Sequence, residues 1–129
     1  MNRPTEDDGF REWLTETFGD RIVREEGVSV TLPPLAENGN SVAFTVNVDS
    51  PMLDRDFSRS IDVYAPQNPL PHIGHFEFSP ASGRAGVSTR IRLGGDQTVR
   101  AVAQKSDGSL LVGGASIVVT EAACLDFLI

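Results

Sequence analysis

Cys124 is the side chain whose chemistry and position in this sequence are most distinctive. It is the only cysteine among 129 residues, so it forms no disulfide within the chain. A lone thiol is inert packing, a reactive group or half of an intermolecular disulfide. Cys124 follows the last apolar strand pattern and precedes residues 125–129, and this position outside the sheet favours a reachable, functional thiol. Glu121 and Asp126 disfavour its thiolate unless a partner supplies positive charge.

His72 and His75 offer two imidazoles at a spacing that some metal sites use. No cysteine lies near them, Pro71 marks a loop that enters a strand, and two ligands alone make a weak site. We therefore predict two partly exposed histidines at a strand entrance and no metal site.

The remaining candidates for chemistry match no catalytic pattern. Residues 79–84 hold two serines and an arginine but lack the G-x-S-x-G nucleophile elbow. Gly94-Gly95 and Gly113-Gly114 fit no phosphate-binding loop and are interpreted as bends or bulges. Scattered carboxylates define no acid/base pair. We predict no catalytic or cofactor-binding residues, and a chain that is not an enzyme by itself.

One early segment has helical spacing. Its apolar residues are Phe10, Trp13, Leu14 and Phe18. Glu12 lies in the first turn and Gly19 is a stop signal, so a short amphipathic helix is predicted to pack on the sheet of its own domain.

From residue 28 onward, apolar residues alternate with polar ones, which is typical of half-buried strands. The alternating stretches are residues 28–32, 42–48, 61–65, 76–78, 87–93 and 99–103, and the final strand, residues 115–120, has the near-continuous apolar run Ile117-Val118-Val119 that is expected of a central strand. Turn-forming residues fill the gaps, and Asp107-Gly108 is a strong hairpin signal. The pattern predicts an all-β fold: an immunoglobulin-like antiparallel β-sandwich of about seven strands with one short N-terminal helix. A barrel is the main alternative.

Composition and charge narrow the function classes. The chain is 40% apolar and 22% charged, so a packed globular domain is expected. The net charge of −7 would repel a phosphate backbone, so nucleic acid is excluded as a partner. No apolar run approaches the roughly 18 residues that span a bilayer. We divide the chain into an N-terminal helical segment (1–21), a β-sandwich domain (22–120) and a cysteine-bearing tail (121–129).

Four segments together resemble one protein family, over roughly residues 22–124 and in the same order. They are residues 35–39 (LAENG), 46–52 (VNVDSPM), 79–93 (SPASGRAGVSTRIRL) and 101–109 (AVAQKSDGS). This resemblance is to SoxY, the sulfur-carrier subunit of the bacterial thiosulfate-oxidising Sox system.

The resemblance implies a periplasmic immunoglobulin-like sandwich that forms a heterodimer with a SoxZ-like subunit. In that family a cysteine near the C-terminus holds the substrate as a covalent sulfur adduct, and Cys124 occupies its position. The expected partners are a haem enzyme that attaches thiosulfate, a hydrolase that releases sulfate and a dehydrogenase that oxidises the bound sulfane sulfur. No cofactor is implied beyond the adduct on Cys124.

The sequence departs from the family around this cysteine. The family ends in Gly-Gly-Cys-Gly-Gly, whereas here Ala122-Ala123 precede Cys124 and Leu-Asp-Phe-Leu-Ile follows it. Alanine narrows backbone freedom, and the apolar residues favour docking on a surface. The alternative is therefore a non-carrier paralogue that docks through its apolar tail, and a third possibility is a disulfide-linked homodimer.

Overall fold

The computed structural model describes residues 5–123, which form one α-helix and nine strands in two packed sheets. The elements are α1 (Glu6–Phe18), β1 (Val23–Arg24), β2 (Val28–Thr31), β3 (Leu35–Asn38), β4 (Val42–Val48), β5 (Ser58–Tyr64), β6 (His72–Glu77), β7 (Ala85–Ile91), β8 (Gln97–Lys105) and β9 (Leu110–Glu121). The predicted all-β sandwich with one N-terminal helix is confirmed. The tail from Cys124 to residue 129 lies outside the described residues, so the prediction for Cys124 is not tested by its coordinates.

Local chemistry explains both ends of α1. The Thr5 hydroxyl accepts the backbone N–H of Asp8, and the Asp8 carboxylate accepts the backbone N–H of Thr5, which is a capping box. Gly19 ends the helix with a φ of 74°, a left-handed conformation that favours glycine. The predicted stop is confirmed.

The larger sheet has the order β1-β9-β8-β5-β6, with β3 also paired to β9. The smaller sheet has the order β2-β4-β7. All pairs are antiparallel except β1 with β9 and β3 with β9. β8 and β9 meet in the predicted hairpin, where the Gly108 N–H donates to the Lys105 carbonyl over 2.9 Å.

The structure has nine strands where the alternation predicted about seven. β1 and β3 are additional: β1 has only two residues, and β3 reads Leu-Ala-Glu-Asn, in which apolar and polar residues do not alternate. β9 begins at Leu110, earlier than predicted. Leu110, Leu111 and Val112 are all buried because the helix covers one face of this end of β9 and the other face lies on the core.

Two apolar clusters hold these layers together. The larger lies between the sheets and includes Phe44, Val46, Ile61 and Val99, each at most 1% exposed. The smaller lies between α1 and the outer face of the larger sheet. It consists of Phe10, Leu14, Tyr64, Val102, Leu110 and Val112, with Trp13 and Phe18 packed against it. Each fully buried side chain of this size stabilises the fold by roughly 1.5–3 kcal/mol.

Candidate functional site at the base of the cysteine-bearing tail

The chain leaves the larger sheet at the end of β9, where three backbone segments meet. The Gly39 N–H donates to the Glu121 carbonyl over 2.7 Å, and the Leu93 N–H donates to the Gly39 carbonyl over 2.8 Å. The Ala123 N–H in turn donates to the Leu93 carbonyl over 2.9 Å. We call these four residues the tail clamp. It holds the backbone by hydrogen bonds up to the residue before Cys124.

Gly39 makes the tail clamp possible because its backbone approaches its neighbours too closely for a side chain. A Cβ built on Gly39 would lie 2.5 Å from the Leu93 carbonyl oxygen and 2.8 Å from the Ala123 nitrogen. Gly39 follows the short parallel strand β3, which pairs with the last part of β9. The LAENG segment of the resemblance therefore forms the support on which the end of β9 lies.

Side chains add further bonds to the end of β9. The Asp96 carboxylate accepts the Val119 N–H over 2.7 Å, and the Thr120 hydroxyl donates to the Glu37 carbonyl over 3.2 Å. The neighbouring carboxylates of Glu37 and Glu121 are exposed, so the approach to the tail is acidic. A cationic surface on a partner would complement it.

The two histidines lie in strand β6 and share one buried carboxylate. His72 Nε2 and His75 Nδ1 lie 2.8 Å and 2.7 Å from the same oxygen, Asp62 Oδ1. Asp62 is 3% exposed. The histidines are partly exposed, as predicted. Asp62 could not be recognised from the sequence, because only the β5–β6 register brings this residue beside them.

A break in that register puts both rings on one face. Tyr64 pairs with His72 and Val63 with Gly74, so Ile73 is an extra residue in β6. A bulge of this kind changes the face to which the following side chains point. Without it, side chains three residues apart would point to opposite faces of the strand.

The surroundings of His75 favour its charged form. Its Nδ1 faces Asp62, and its Nε2 lies 3.3 Å from Glu77 Oε1. The hydrogen bond to Asp62 is the largest of the effects that raise the pKa of His75, Glu77 adds to the rise, and burial opposes it. Within residues 5–123, no three histidine, aspartate or glutamate side chains are arranged to hold a metal ion.

The histidines are remote from the tail clamp. His72 pairs with Tyr64, Tyr64 with Arg100 and Arg100 with Gly114. The histidine strand β6 is therefore separated from β9 by the two strands β5 and β8. Gly114 lies seven residues before the end of β9, a distance of roughly 23 Å along a strand. The structure therefore does not bring either imidazole to the point where the tail begins.

The other sequence candidates have structural roles in the described residues. The Ser82 hydroxyl accepts the Ser79 N–H over 3.1 Å in a short 3₁₀ turn. Gly113 lies so close to the Val28 carbonyl that a side chain would not fit. No helix in residues 5–123 is long and apolar enough to cross a membrane.

Comparisons with known proteins agree on one family and one fold. The family model "Sulfur oxidation protein SoxY" matches residues 14–124. The structure is similar to the sulfur carrier protein SoxY from Chlorobium limicola f thiosulfatophilum, with a TM-score of 0.74 and 24% identity over 89% of this chain and 99% of that chain. A search of curated protein sequences gave no match.

Superoxide reductases have a similar fold at lower identity. The enzyme (neelaredoxin) from Ignicoccus hospitalis gives a TM-score of 0.65 and 16% identity over 88% of this chain and 92% of that chain. A putative superoxide reductase from Thermotoga maritima gives a TM-score of 0.60 and 20% identity over 79% of this chain and 89% of that chain. At these identities the likeness concerns the fold alone. The family match covers most of the chain, from the middle of α1 to Cys124, and the chain belongs to the SoxY family.

Proposed function

We propose that this chain is a carrier that holds sulfur intermediates covalently on Cys124 during thiosulfate and sulfur oxidation. The observation that carries the proposal is the extent of the SoxY family match, which runs to residue 124, the only cysteine of the chain. The similar Chlorobium protein is described as a sulfur carrier, which supports the same role here.

Loading of the carrier is an oxidation. The Cys124 thiol loses its proton, a bond forms between its sulfur and the terminal sulfur of thiosulfate, and two electrons pass to the haem enzyme of the system. Water then cleaves the bond to the sulfonate group with the help of the hydrolase, which releases sulfate and leaves a persulfide on the cysteine. The dehydrogenase acts on that remaining sulfane sulfur.

In this proposal the carrier itself supplies the thiol and the support for it. Ala123, the residue before Cys124, is held in the tail clamp, so partner active sites must accept the end of β9 together with the thiol. The histidine pair lies at the far edge of the larger sheet, which is consistent with a chain that does no chemistry alone. A SoxZ-like subunit as partner and a periplasmic location complete the proposal.

Intact-mass measurement tests the carrier role directly. Reduced protein is incubated with thiosulfate, a SoxZ-like subunit and the haem enzyme, and Cys124→Ser serves as the matched control. The expected result is a mass increase of one thiosulfate unit that dithiothreitol removes and that the Cys124→Ser variant does not show. Unmodified protein with a free thiol under these conditions would overturn the proposal.

A second candidate is a non-carrier subunit that docks through its apolar tail. Two observations favour it: Ala123 is hydrogen-bonded rather than part of a glycine spacer, and four of the five residues after Cys124 are apolar. Deletion of residues 125–129 should then weaken binding of the SoxZ-like subunit by about tenfold or more, as loss of a buried apolar anchor does. Unchanged affinity after this deletion would exclude tail docking and leave the carrier role unaffected.

A further inference from the structure

Strand β7 is an edge strand that is neither short, nor bulged, nor interrupted by proline. Its seven residues pair with β4 in an unbroken register, and no other described strand pairs with it. Edge strands are commonly short, bulged or interrupted by proline. β1 and β2 are short, and β6 has a register shift. β7 has none of these features, so the backbone groups along its outer side are available for pairing.

The side of the sandwich at β7 also presents apolar side chains. On the opposite side, β2 packs closely on β9, where the Val28 carbonyl meets Gly113. On the β7 side, the edge strands of both sheets carry apolar residues that pack on the core and remain partly exposed. This apolar row consists of Ile73, Phe76, Phe78, Val87 and Ile91.

The charge of this region is opposite to that of the whole chain. Residues 78–95 contain three arginines and no acidic residue, whereas the chain carries a net charge of −7. Arg84, Arg90 and Arg92 are exposed, and none of them forms an ion pair with a described residue. Arg90 makes one contact of 3.4 Å with the Ser41 hydroxyl. The edge is thus a cationic strip on an acidic protein.

We propose that β7 binds an extended acidic segment of a different polypeptide, which adds to the smaller sheet as a further strand. The backbone of the segment would pair with the free side of β7, and alternate side chains would cover the apolar row. Its acidic residues would complement the three arginines. The proposal does not depend on the chemistry of Cys124.

A second copy of this chain at the same edge would bring two cationic strips together. In a two-fold antiparallel pairing centred on Ser88, Arg84 of each copy lies opposite Arg92 of the other. Like charges directly opposite each other in a sheet are destabilising. The charge of the strip therefore favours an acidic partner over self-pairing.

A defined peptide tests strand addition on the full chain. The probe is a nine-residue peptide of alternating glutamate and valine, titrated into isotope-labelled protein and followed by backbone amide NMR shifts. The expected shifts are confined to β7 and to the apolar row on β6. The control is the same peptide with N-methyl groups on alternate residues. It keeps its charge but loses the backbone N–H donors on the edge that would pair with β7, so it should bind at least about tenfold more weakly.

Charge-matched variants test the role of the strip. The first triple variant combines Arg84→Glu, Arg90→Glu and Arg92→Glu, and it should bind the peptide about tenfold or more weakly. The control variant has the same net charge and combines Arg11→Glu, Arg24→Glu and Arg55→Glu. Its affinity for the peptide should stay within about twofold of that of the unmodified protein. Four outcomes would each overturn the proposal. The first two are equal affinity for the N-methylated and unmodified peptides, and peptide-induced NMR shifts away from β7 and the apolar row. The others are no detectable peptide binding, and dimers of the protein that are lost in the variant with Arg84, Arg90 and Arg92 replaced. The N-methyl comparison uses the unmodified protein, so it stands even if a variant does not fold.

Discussion

Asp62 is a buried carboxylate that forms hydrogen bonds with two imidazoles. An ionised group at 3% exposure is costly unless hydrogen bonds replace its water. His72 and His75 both supply an N–H to the same oxygen. Ser58 and Ser60, on the same strand, have buried hydroxyls without a partner among the described residues. The two imidazoles therefore replace part of the hydration that Asp62 loses on burial.

His75 should make stability depend on pH. Because folding raises its pKa, the folded protein binds the proton more tightly than the unfolded chain does. The resulting stabilisation is complete below the pKa of an unfolded histidine, about 6.5, and is lost as the pH rises through the higher folded value. Urea unfolding of the protein at about pH 5.5 and about pH 8 should show a loss of stability at the higher pH that is smaller in His75→Asn. An equal loss in both proteins would contradict this assignment.

Gly39 should tolerate no side chain. In Gly39→Ala, the new Cβ must displace the Leu93 carbonyl or the Ala123 backbone, and we expect a loss of about 1–3 kcal/mol in the free energy of unfolding. Faster alkylation of Cys124 should accompany it if the tail clamp opens. Gly9→Ala is the matched control, because its Cβ would lie 3.5 Å from the Tyr64 hydroxyl and alanine favours a helix; it should raise stability by about 0.5–1 kcal/mol. Equal effects of the two substitutions would refute the role of the clamp.

Single residues were predictable from the sequence only where their type or position was unusual. The role of Cys124 stays a prediction, whereas the two partly exposed histidines and the helix stop at Gly19 belong to this group. Asp62 and Gly39 do not, because their importance comes from residues 10 to 84 positions away in the chain, namely His72, Leu93 and Ala123. Such contacts depend on strand register, which one sequence does not specify.

At the level of elements, α1 is held by an aromatic cluster. Phe10, Trp13 and Tyr64 lie with ring centroids 4.8–6.0 Å apart. Trp13 also lies 5.4 Å from the His72 ring. At the start of the helix, Asp7 pairs with Arg100, and Glu6 accepts the Thr98 N–H over 3.2 Å. The helix thus contacts β5, β6 and β8 together.

Removal of one ring should weaken this packing strongly. Phe10 is 4% exposed, so Phe10→Ala should cost about 3–5 kcal/mol. Trp13 is the only tryptophan of the chain, so its fluorescence reports the environment of α1 during urea unfolding. Arg11→Ala, an exposed neighbour, should change stability by less than about 0.5 kcal/mol. A cost below about 1 kcal/mol for Phe10→Ala would show that the helix contributes little to the fold.

The elements themselves were largely predictable. Alternation and the apolar run of the last strand located seven of the nine strands, and helical spacing located α1, because these patterns record which faces are buried. β1 is too short to show a period, β3 does not alternate, and the bulge at Ile73 cannot be recognised without the partner strand. The missed elements matter for function, since β3 supports the tail and the bulge aligns the histidines.

At the level of the whole molecule, a single cysteine limits how copies of the chain can be linked by disulfides. If Cys124 is accessible, mild oxidation with diamide should give disulfide-linked dimers and no larger species on a non-reducing gel, because each chain holds one cysteine. Cys124→Ser should remain monomeric on the same gel. Glu121→Gln should raise the dimer yield, because it removes a negative charge three residues before Cys124 that disfavours the thiolate. Absence of dimers in protein with a titratable thiol would show that the two tails cannot meet.

The position of β9 has a mechanical consequence for the proposed carrier role. Any pull on Cys124 acts first on the Ala123–Leu93 hydrogen bond and then along β9, which lies inside the larger sheet between β8 and the short strands β1 and β3. Such a load shears many hydrogen bonds at once instead of opening them one by one. In the proposed carrier role, a partner that pulls along β9 could therefore move the end of the chain without separating the strands of the domain one hydrogen bond at a time.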